Sequence, residues 1–368
     1  MTELHGLDLL GWDSSWAQAF AAVAERQRVS DHRAAPDLMP GRVVRVDRGL
    51  CLVSTGPGQV RASFGGEVLD AIAVDTAATP CTGDWCAVRD WPDGPVTVEA
   101  VLTRRTAVVR ADVNGSSRGQ VLVANLDVVA VVTGLHPEPV IGKLERALAL
   151  AWESGARPAV VLTKADLVHD ADEVRADVAA AAPGVEVIVC SATTGEGVDL
   201  VRATLGERGT MGLLGSSGAG KSTLVNALVG AEVLATREIR ADGRGRHTSV
   251  RRELIPLPGG GAVIDTPGLR GIGLIDADGG IAATFADVEE LIARCRFNDC
   301  SHSSEPGCAV LAGVEEGRLP LRRLESWRKL QREMAWMATR SDARLRAERS
   351  REWKQRSLHS RRAHRDRP

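Results

Sequence analysis

Apolar and polar positions follow two different rhythms along this chain. Between residues 42 and 101 they alternate in short runs (42–46, 50–53, 59–62, 85–88 and 96–101) separated by Gly, Pro and Asp. Such alternation predicts about five strands of a small β-barrel, either OB-like or SH3-like. From about residue 121 the apolar runs become continuous, at 127–133, 158–163 and 185–189, as in strands buried on both faces. Helical patterns at 141–152, 171–182 and 197–205 separate them, which predicts a doubly wound α/β domain. After about 280 the pattern is helical, and Leu321, Leu324, Trp327, Leu330, Met334 and Met337 mark an amphipathic helix. Upstream of the barrel, an amphipathic segment at 16–23 leads into a polar stretch ending at Pro40 and Gly41. The division expected is an N-terminal extension 1–40, barrel 41–105, α/β domain 106–275, small helical domain 276–338 and tail 339–368.

Within this frame, Gly215-Ser-Ser-Gly-Ala-Gly-Lys-Ser222 follows a short apolar strand that ends at Leu214, and it opens a helical pattern. That is the full phosphate-binding loop, residues 214–222, written residue by residue as Leu214, Gly215, Ser216, Ser217, Gly218, Ala219, Gly220, Lys221 and Ser222. Its backbone N–H groups converge on phosphate, Lys221 neutralises the β- and γ-oxygens, and Ser222 is a Mg²⁺ ligand. The bland alternative is a glycine-rich turn with no ligand. Thr163, Lys164, Ala165 and Asp166 end another buried strand in the guanine-reading pattern. A carboxylate there accepts from guanine N1–H and N2–H₂, a pair adenine lacks. Ser191 and Ala192 match the short element that contacts guanine O6, and Asp265-Thr-Pro-Gly268 the D-x-x-G segment. In that segment Asp265 holds Mg²⁺ through water and Gly268 senses the γ-phosphate. Thr248, in the polar loop 243–248, is the candidate second Mg²⁺ ligand. Each tetrapeptide alone is common, but all of them stand at strand ends of one domain. Their order is rotated relative to Ras-like proteins: the guanine elements come before the phosphate loop. Because each strand carries its own motif, a rotated chain builds the same pocket.

Charge and cysteines add two further features. The net charge of -2 hides 17 basic against 6 acidic residues from Arg318 onward, a local +11, over a remainder of -13. A basic end on an acidic body points to a polyanionic partner. Of seven cysteines, three cluster with a histidine as Cys295, Cys300, His302 and Cys308. Three thiolates and an imidazole suit one tetrahedral structural Zn²⁺; the alternative is a group of reduced core thiols. Cys81 and Cys86 lack such partners and read as barrel-core or surface thiols. No apolar run approaches the about 20 residues of a membrane span, and the acidic N-terminus lacks a secretory pattern. A cytoplasmic monomer without membrane contact is expected.

The permuted order, the Gly245-Arg-His-Thr248 segment and the Cys295–Cys308 spacing together resemble the circularly permuted, small-subunit-dependent ribosomal GTPases, the RsgA family. The resemblance runs from about residue 41 to 308. It implies an OB-like barrel, a circularly permuted Ras-like GTPase domain and a small helical zinc domain. It further implies GTP hydrolysis stimulated by the small ribosomal subunit late in its maturation, release of assembly factors, and contacts with ribosomal RNA. Leu269 stands where Ras-like proteins have the water-orienting Gln, which implies slow intrinsic hydrolysis. His247 is then the candidate for positioning water, or else a solvated loop residue. Thr163 replaces the usual Asn and is expected to lose the amide that touches the base and steadies the phosphate loop. The chain passes soon after Gly268 into the cysteine module, so hydrolysis is expected to reorient that module. The rival reading is a nucleotide-gated scaffold whose hydrolysis is incidental; a P-loop ATPase or kinase conflicts with Asp166.

Overall fold

The computed structural model describes residues 5–30, 36–110, 119–234, 252–265 and 277–341. His247, Thr248, Gly268 and Leu269, together with the tail from residue 342, lie outside the described residues. The first five strands are β1 (Leu38–Asp47), β2 (Leu50–Thr55), β3 (Gln59–Phe64), β4 (Trp85–Arg89) and β5 (Thr97–Val101). They close a barrel in the order β1-β2-β3-β5-β4, with β3 and β5 parallel and the other neighbours antiparallel. That order is the OB arrangement, which settles the choice left open by periodicity. Alternate residues fill its interior: Val43, Cys51, Val53, Ala62, Cys86, Val88 and Val98.

A hairpin of β6 (Ala107–Arg110) and β7 (Gln120–Ala124) leads to the six-stranded sheet. Its members are β8 (Val128–Gly134), β9 (Arg157–Thr163), β10 (Glu186–Val189), β11 (Thr210–Leu214), β12 (Glu253–Pro256) and β13 (Ala262–Asp265). The order is β10-β9-β8-β11-β13-β12, parallel except for the edge strand β12. Side chains alternate between two cores: Val129, Val131, Val160 and Ile264 on one face, Val128, Val132, Val161 and Val263 on the other. Both faces are covered, so the apolar runs are continuous.

The N-terminal segment is part of this body. Leu7, Leu10, Trp12 and Trp16 are buried in the same cluster as Trp85 of the barrel and Leu126 at the foot of the sheet. Trp12 meets Trp85 edge-on with ring centroids 4.9 Å apart. The C-terminal module consists of helices Asp278–Thr284, Ala286–Ile292, Ala309–Glu315 and Leu321–Ser341 around Phe285, Val288, Leu324 and Leu330. It rests on helix Ile141–Glu153 of the α/β domain at backbone distance, since a Cβ on Gly280 would lie 2.1 Å from the Ala149 carbonyl. The buried Arg323 bonds Glu145 of that helix and Asp287 of the module. Its chain connection is therefore not the module's sole tether, and any reorientation on hydrolysis must break or carry along this second anchor. Arg322 and Arg323, counted above as polyanion-directed charge, are engaged by internal carboxylates. No helix among the described residues is long and apolar enough to cross a membrane.

Candidate functional site

Because β10, β9, β8, β11 and β13 are parallel, their C-terminal ends share one edge of the sheet. Four of these strands deliver sequence-predicted segments there. β9 ends in Thr163 and Asp166 follows, Ser191 follows β10, β11 runs into Gly215, and β13 ends in Asp265. Ligands of open α/β sheets bind at this edge.

The phosphate loop joins β11 to helix Lys221–Val229, whose first turn carries Ser222 and whose preceding residue Gly220 has φ 88°. A side chain at Gly220 would also press on Thr163, 3.0 Å from its Oγ1. Lys221 Nζ donates to the Gly215 and Ser216 carbonyls at 2.8 and 3.0 Å, spanning the loop in which phosphate oxygens would sit. Thr163 Oγ1 donates to the Ala219 carbonyl at 2.6 Å. The expected loss of the Asn amide therefore does not leave the phosphate loop unsupported: the shorter hydroxyl reaches it because the loop backbone passes against Thr163.

The base side is similarly organised. Asp166 is exposed, and its Oδ1 accepts from the buried Ser191 hydroxyl at 2.6 Å, which fixes the carboxylate plane. Lys164, in the left-handed region at φ 65°, lays its stem against Gly134 and donates from Nζ to the His136 carbonyl at 3.0 Å. Ala165 N–H is tied to the Cys190 carbonyl at 3.2 Å, joining the loops that follow β9 and β10. Ala192 follows Ser191 on the same turn.

Asp265 is 4% exposed, and its Oδ1 has no hydrogen-bond partner among the described residues. Burial pushes its pKa up, with Lys221 opposing. A buried, unsatisfied carboxylate oxygen beside the phosphate loop fits a hydrated divalent cation.

At the other end, the ligand atoms of Cys295, Cys300, His302 and Cys308 lie within 4.8 Å of one another. His302 Nδ1 is 3.6 Å from both Cys295 Sγ and Cys308 Sγ, and those sulfurs are 4.0 Å apart. Zinc–sulfur bonds of about 2.3 Å in a tetrahedron require edges of about 3.8 Å, so the donors fit. Cys308 caps helix Ala309–Glu315, its Sγ accepting from Leu311 N–H at 3.5 Å. Sequence reading missed Glu305, whose carboxylate accepts from the Ser301, Ser303 and Ser304 N–H groups at 2.8–3.0 Å and shapes the ligand loop. An acid just after three closely spaced serines was the available signal. Cys81 and Cys86 are both buried in or beside the barrel.

A phosphate loop, a carboxylate in the guanine-reading sequence pattern and the aspartate of a D-x-x-G segment on one sheet edge, with the loop sequence coming after the guanine-reading pattern, match a circularly permuted P-loop GTPase. The RsgA GTPase family model matches residues 101–275. The small ribosomal subunit biogenesis GTPase RsgA of Streptomyces coelicolor is 51% identical over 355 residues, covering 95% of this chain and 92% of that protein. Its namesake from Opitutus terrae is 42% identical over 360 residues, covering 95% of each. The crystal structure of YjeQ from Thermotoga maritima superposes with a TM-score of 0.59 at 25% identity, covering 81% of this chain and 98% of that one. The fold is shared with YloQ, a circularly permuted GTPase (TM-score 0.56, 22% identity). This chain belongs to the RsgA family of GTPases.

Proposed function

We propose that the chain hydrolyses GTP in response to the small ribosomal subunit, acting late in that subunit's maturation and in release of assembly factors. The observation that carries the nucleotide half is the Ser191–Asp166 bond at 2.6 Å, which presents a guanine-selective carboxylate on the phosphate loop's own sheet edge. The ribosomal half is supported by relatives named for small-subunit biogenesis, one of them 51% identical.

In this reading, Thr163, Lys164, Ala165, Asp166, Ser191 and Ala192 hold the base, residues 214–222 hold the phosphates, and Lys221 stabilises transferring charge. Ser222 and Thr248, with Asp265 through water, would hold the Mg²⁺ that accompanies GTP, and Gly268 would face the γ-phosphate. The cation supplies charge neutralisation between the phosphates. His247 positions the attacking water. Cys295, Cys300, His302 and Cys308 would hold one structural Zn²⁺. The barrel (41–105), zinc domain (276–338) and basic tail (339–368) contact ribosomal RNA, and the protein works as a cytoplasmic monomer.

The test is GTP turnover by the full chain alone and with small subunits, using ATP and large subunits as controls. A rise specific to GTP and small subunits is expected, and His247→Ala should remove most of it. GTP-dependent subunit binding without a rise would overturn the hydrolytic role in favour of a gated scaffold.

A further inference from the structure

One turn of the barrel reaches both strands that border the nucleotide-sensing segments. Residues 80–84 precede β4. Gly83 N–H donates to Val43 O at 2.9 Å and Val43 N–H to Asp84 O at 2.8 Å, locking the turn to β1. The Asp84 carboxylate, 0% exposed, accepts from Cys81 N–H at 2.8 Å and from Arg104 at 2.8 Å. Arg104 in turn donates to the Ala77 and Thr79 carbonyls at 2.6 and 2.8 Å. The turn is thus a stiff extension of the barrel.

From it, Thr82 Oγ1 donates to the Arg252 carbonyl at 3.2 Å. Arg252 comes four residues after Thr248, and β12 begins at the next residue. Gly83 lies so close to the sheet that a Cβ there would be 2.2 Å from Ala124 O and 3.1 Å from Ile264 Cδ1. Ile264 immediately precedes Asp265. A second tie joins the same two parts, Arg45 of β1 to Glu253 of β12 at 3.5 Å. Close-packed contacts of this kind transmit a displacement instead of absorbing it.

We propose that the Thr82–Gly83 turn is the relay by which a partner engaged on the barrel controls GTP hydrolysis, with Thr82 a positioning residue that acts through the Arg252 carbonyl. The inference rests on the reading that small subunits stimulate turnover. Among the described residues the Thr82 hydroxyl bonds only the Arg252 carbonyl, so it is expected to matter for stimulation and not for basal chemistry. One hydrogen bond of ordinary net strength corresponds to about fivefold in rate.

The experiment compares full-length wild type with Thr82→Val, Thr82→Ser and Glu253→Gln. Readouts are basal GTP turnover, turnover with saturating small subunits, cosedimentation with subunits in a non-hydrolysable GTP analogue, and thermal midpoint. Thr82→Val should keep basal turnover and subunit affinity within about twofold while losing about fivefold of the stimulation; Thr82→Ser should restore it. Glu253→Gln, at a partly exposed pair, should lose about twofold. Stimulation of Thr82→Val equal to wild type, or an equal fall of basal and stimulated turnover, overturns the relay. If Thr82→Val fails to fold, unchanged stimulation of Glu253→Gln overturns it instead. Absence of stimulation in the wild type marks failure of the functional reading itself, and the relay falls with it.

Discussion

Two buried arginines fasten the appended modules to the GTPase domain, and they are neutralised in opposite ways. Arg42, 2% exposed, bonds three carbonyls from three segments: Leu10 of the N-terminal stretch, Gly83 of the barrel and Asn125 before β8. Its guanidinium lies over Trp85, 4.9 Å from the ring centroid. Burial lowers its pKa to about 10 against the opposing pull of Asp127 and Asp84, so it is charged at neutral pH. Arg323, 1% exposed, instead meets two carboxylates, Asp287 at 2.6 and 2.9 Å and Glu145 at 3.1 Å, with two further carbonyls and Phe285 beneath. Both are satisfied. The difference lies in what each leaves behind when removed: dipoles on the barrel side, net negative charge on the C-terminal side.

The sharpest way to break this comparison is Arg323→Met. Glu145 is fully buried and its Oε2 has no hydrogen-bond partner among the described residues, so losing the guanidinium strands a charge that Arg322 at 3.2 Å answers from one side only. The expected cost is about 3–5 kcal/mol, read as an early unfolding step of the C-terminal module by Trp fluorescence. Adding Glu145→Gln and Asp287→Asn should recover most of it. A triple variant no more stable than the single one would mean that packing over Phe285, not charge, is what Arg323 provides.

Next in size is Asp265→Asn, on the strand the barrel turn touches. The raised pKa of Asp265 means that the folded state holds its proton more tightly than the unfolded chain does. Stability is therefore full below the ordinary carboxylate pKa, falls as pH rises through the raised one, and stays reduced at neutral pH. The Asn variant should melt higher than wild type without nucleotide at pH 7, while losing about a hundredfold in Mg²⁺-dependent GTP turnover. A lower melting point would show that the carboxylate has a partner compensating its burial. Arg42→Met comes third. Gly83 O keeps a bond from Asn125 Nδ2 at 3.2 Å, so the expected loss is about 2 kcal/mol in urea unfolding.

These pinning contacts were the illegible part of the sequence, and the reason is physical. The phosphate loop was readable because glycine positions dictate backbone shape locally, and Cys295 to Cys308 because donor chemistry and spacing coincide within fourteen residues. The strands were readable because burial on both faces demands continuous apolar runs. Arg323 looks like any other cation in a basic stretch, and only its meeting with Glu145, 178 residues away, shows that it is spent inside. Thr163 misled for the same reason: its substitution for Asn looked like a lost contact until Ala219 O, 56 residues away, was found within reach. The N-terminal segment looked like a separate extension because its buried residues Leu7, Leu10, Trp12 and Trp16 are spread over a short helix, a turn and the start of a second helix, and so follow no single period.

The smallest expected effect tests the acid sensitivity of the N-terminal corner of the barrel-side interface. Arg42 makes its hydrogen bonds to carbonyls, which do not titrate, and meets carboxylates only through the longer-range pull of Asp127 and Asp84. Beside it, Arg105 stacks on Trp16 at 4.0 Å and makes two bonds to Asp13, both at 2.8 Å. That pairing, chiefly the Arg105 hydrogen bond, lowers the Asp13 pKa from 3.8 to about 2. A depressed carboxylate pKa stabilises the fold above the unfolded value, and the gain is lost as pH falls toward the folded one. The window is therefore from about pH 4 down to about 2. Because the Asp13 and Arg105 side chains are 47% and 43% exposed, solvent screening holds the gain below about 1 kcal/mol. Asp13→Asn keeps an oxygen for the Trp16 N–H, which Asp13 Oδ1 accepts at 2.8 Å, and so removes the ion pair without removing the turn. Urea midpoints of the two proteins should differ at pH 5 and converge near pH 2. A difference that persists at pH 2 would trace to the turn, and Asp13 would then add nothing acid-sensitive to the barrel side beyond the Arg45–Glu253 pair.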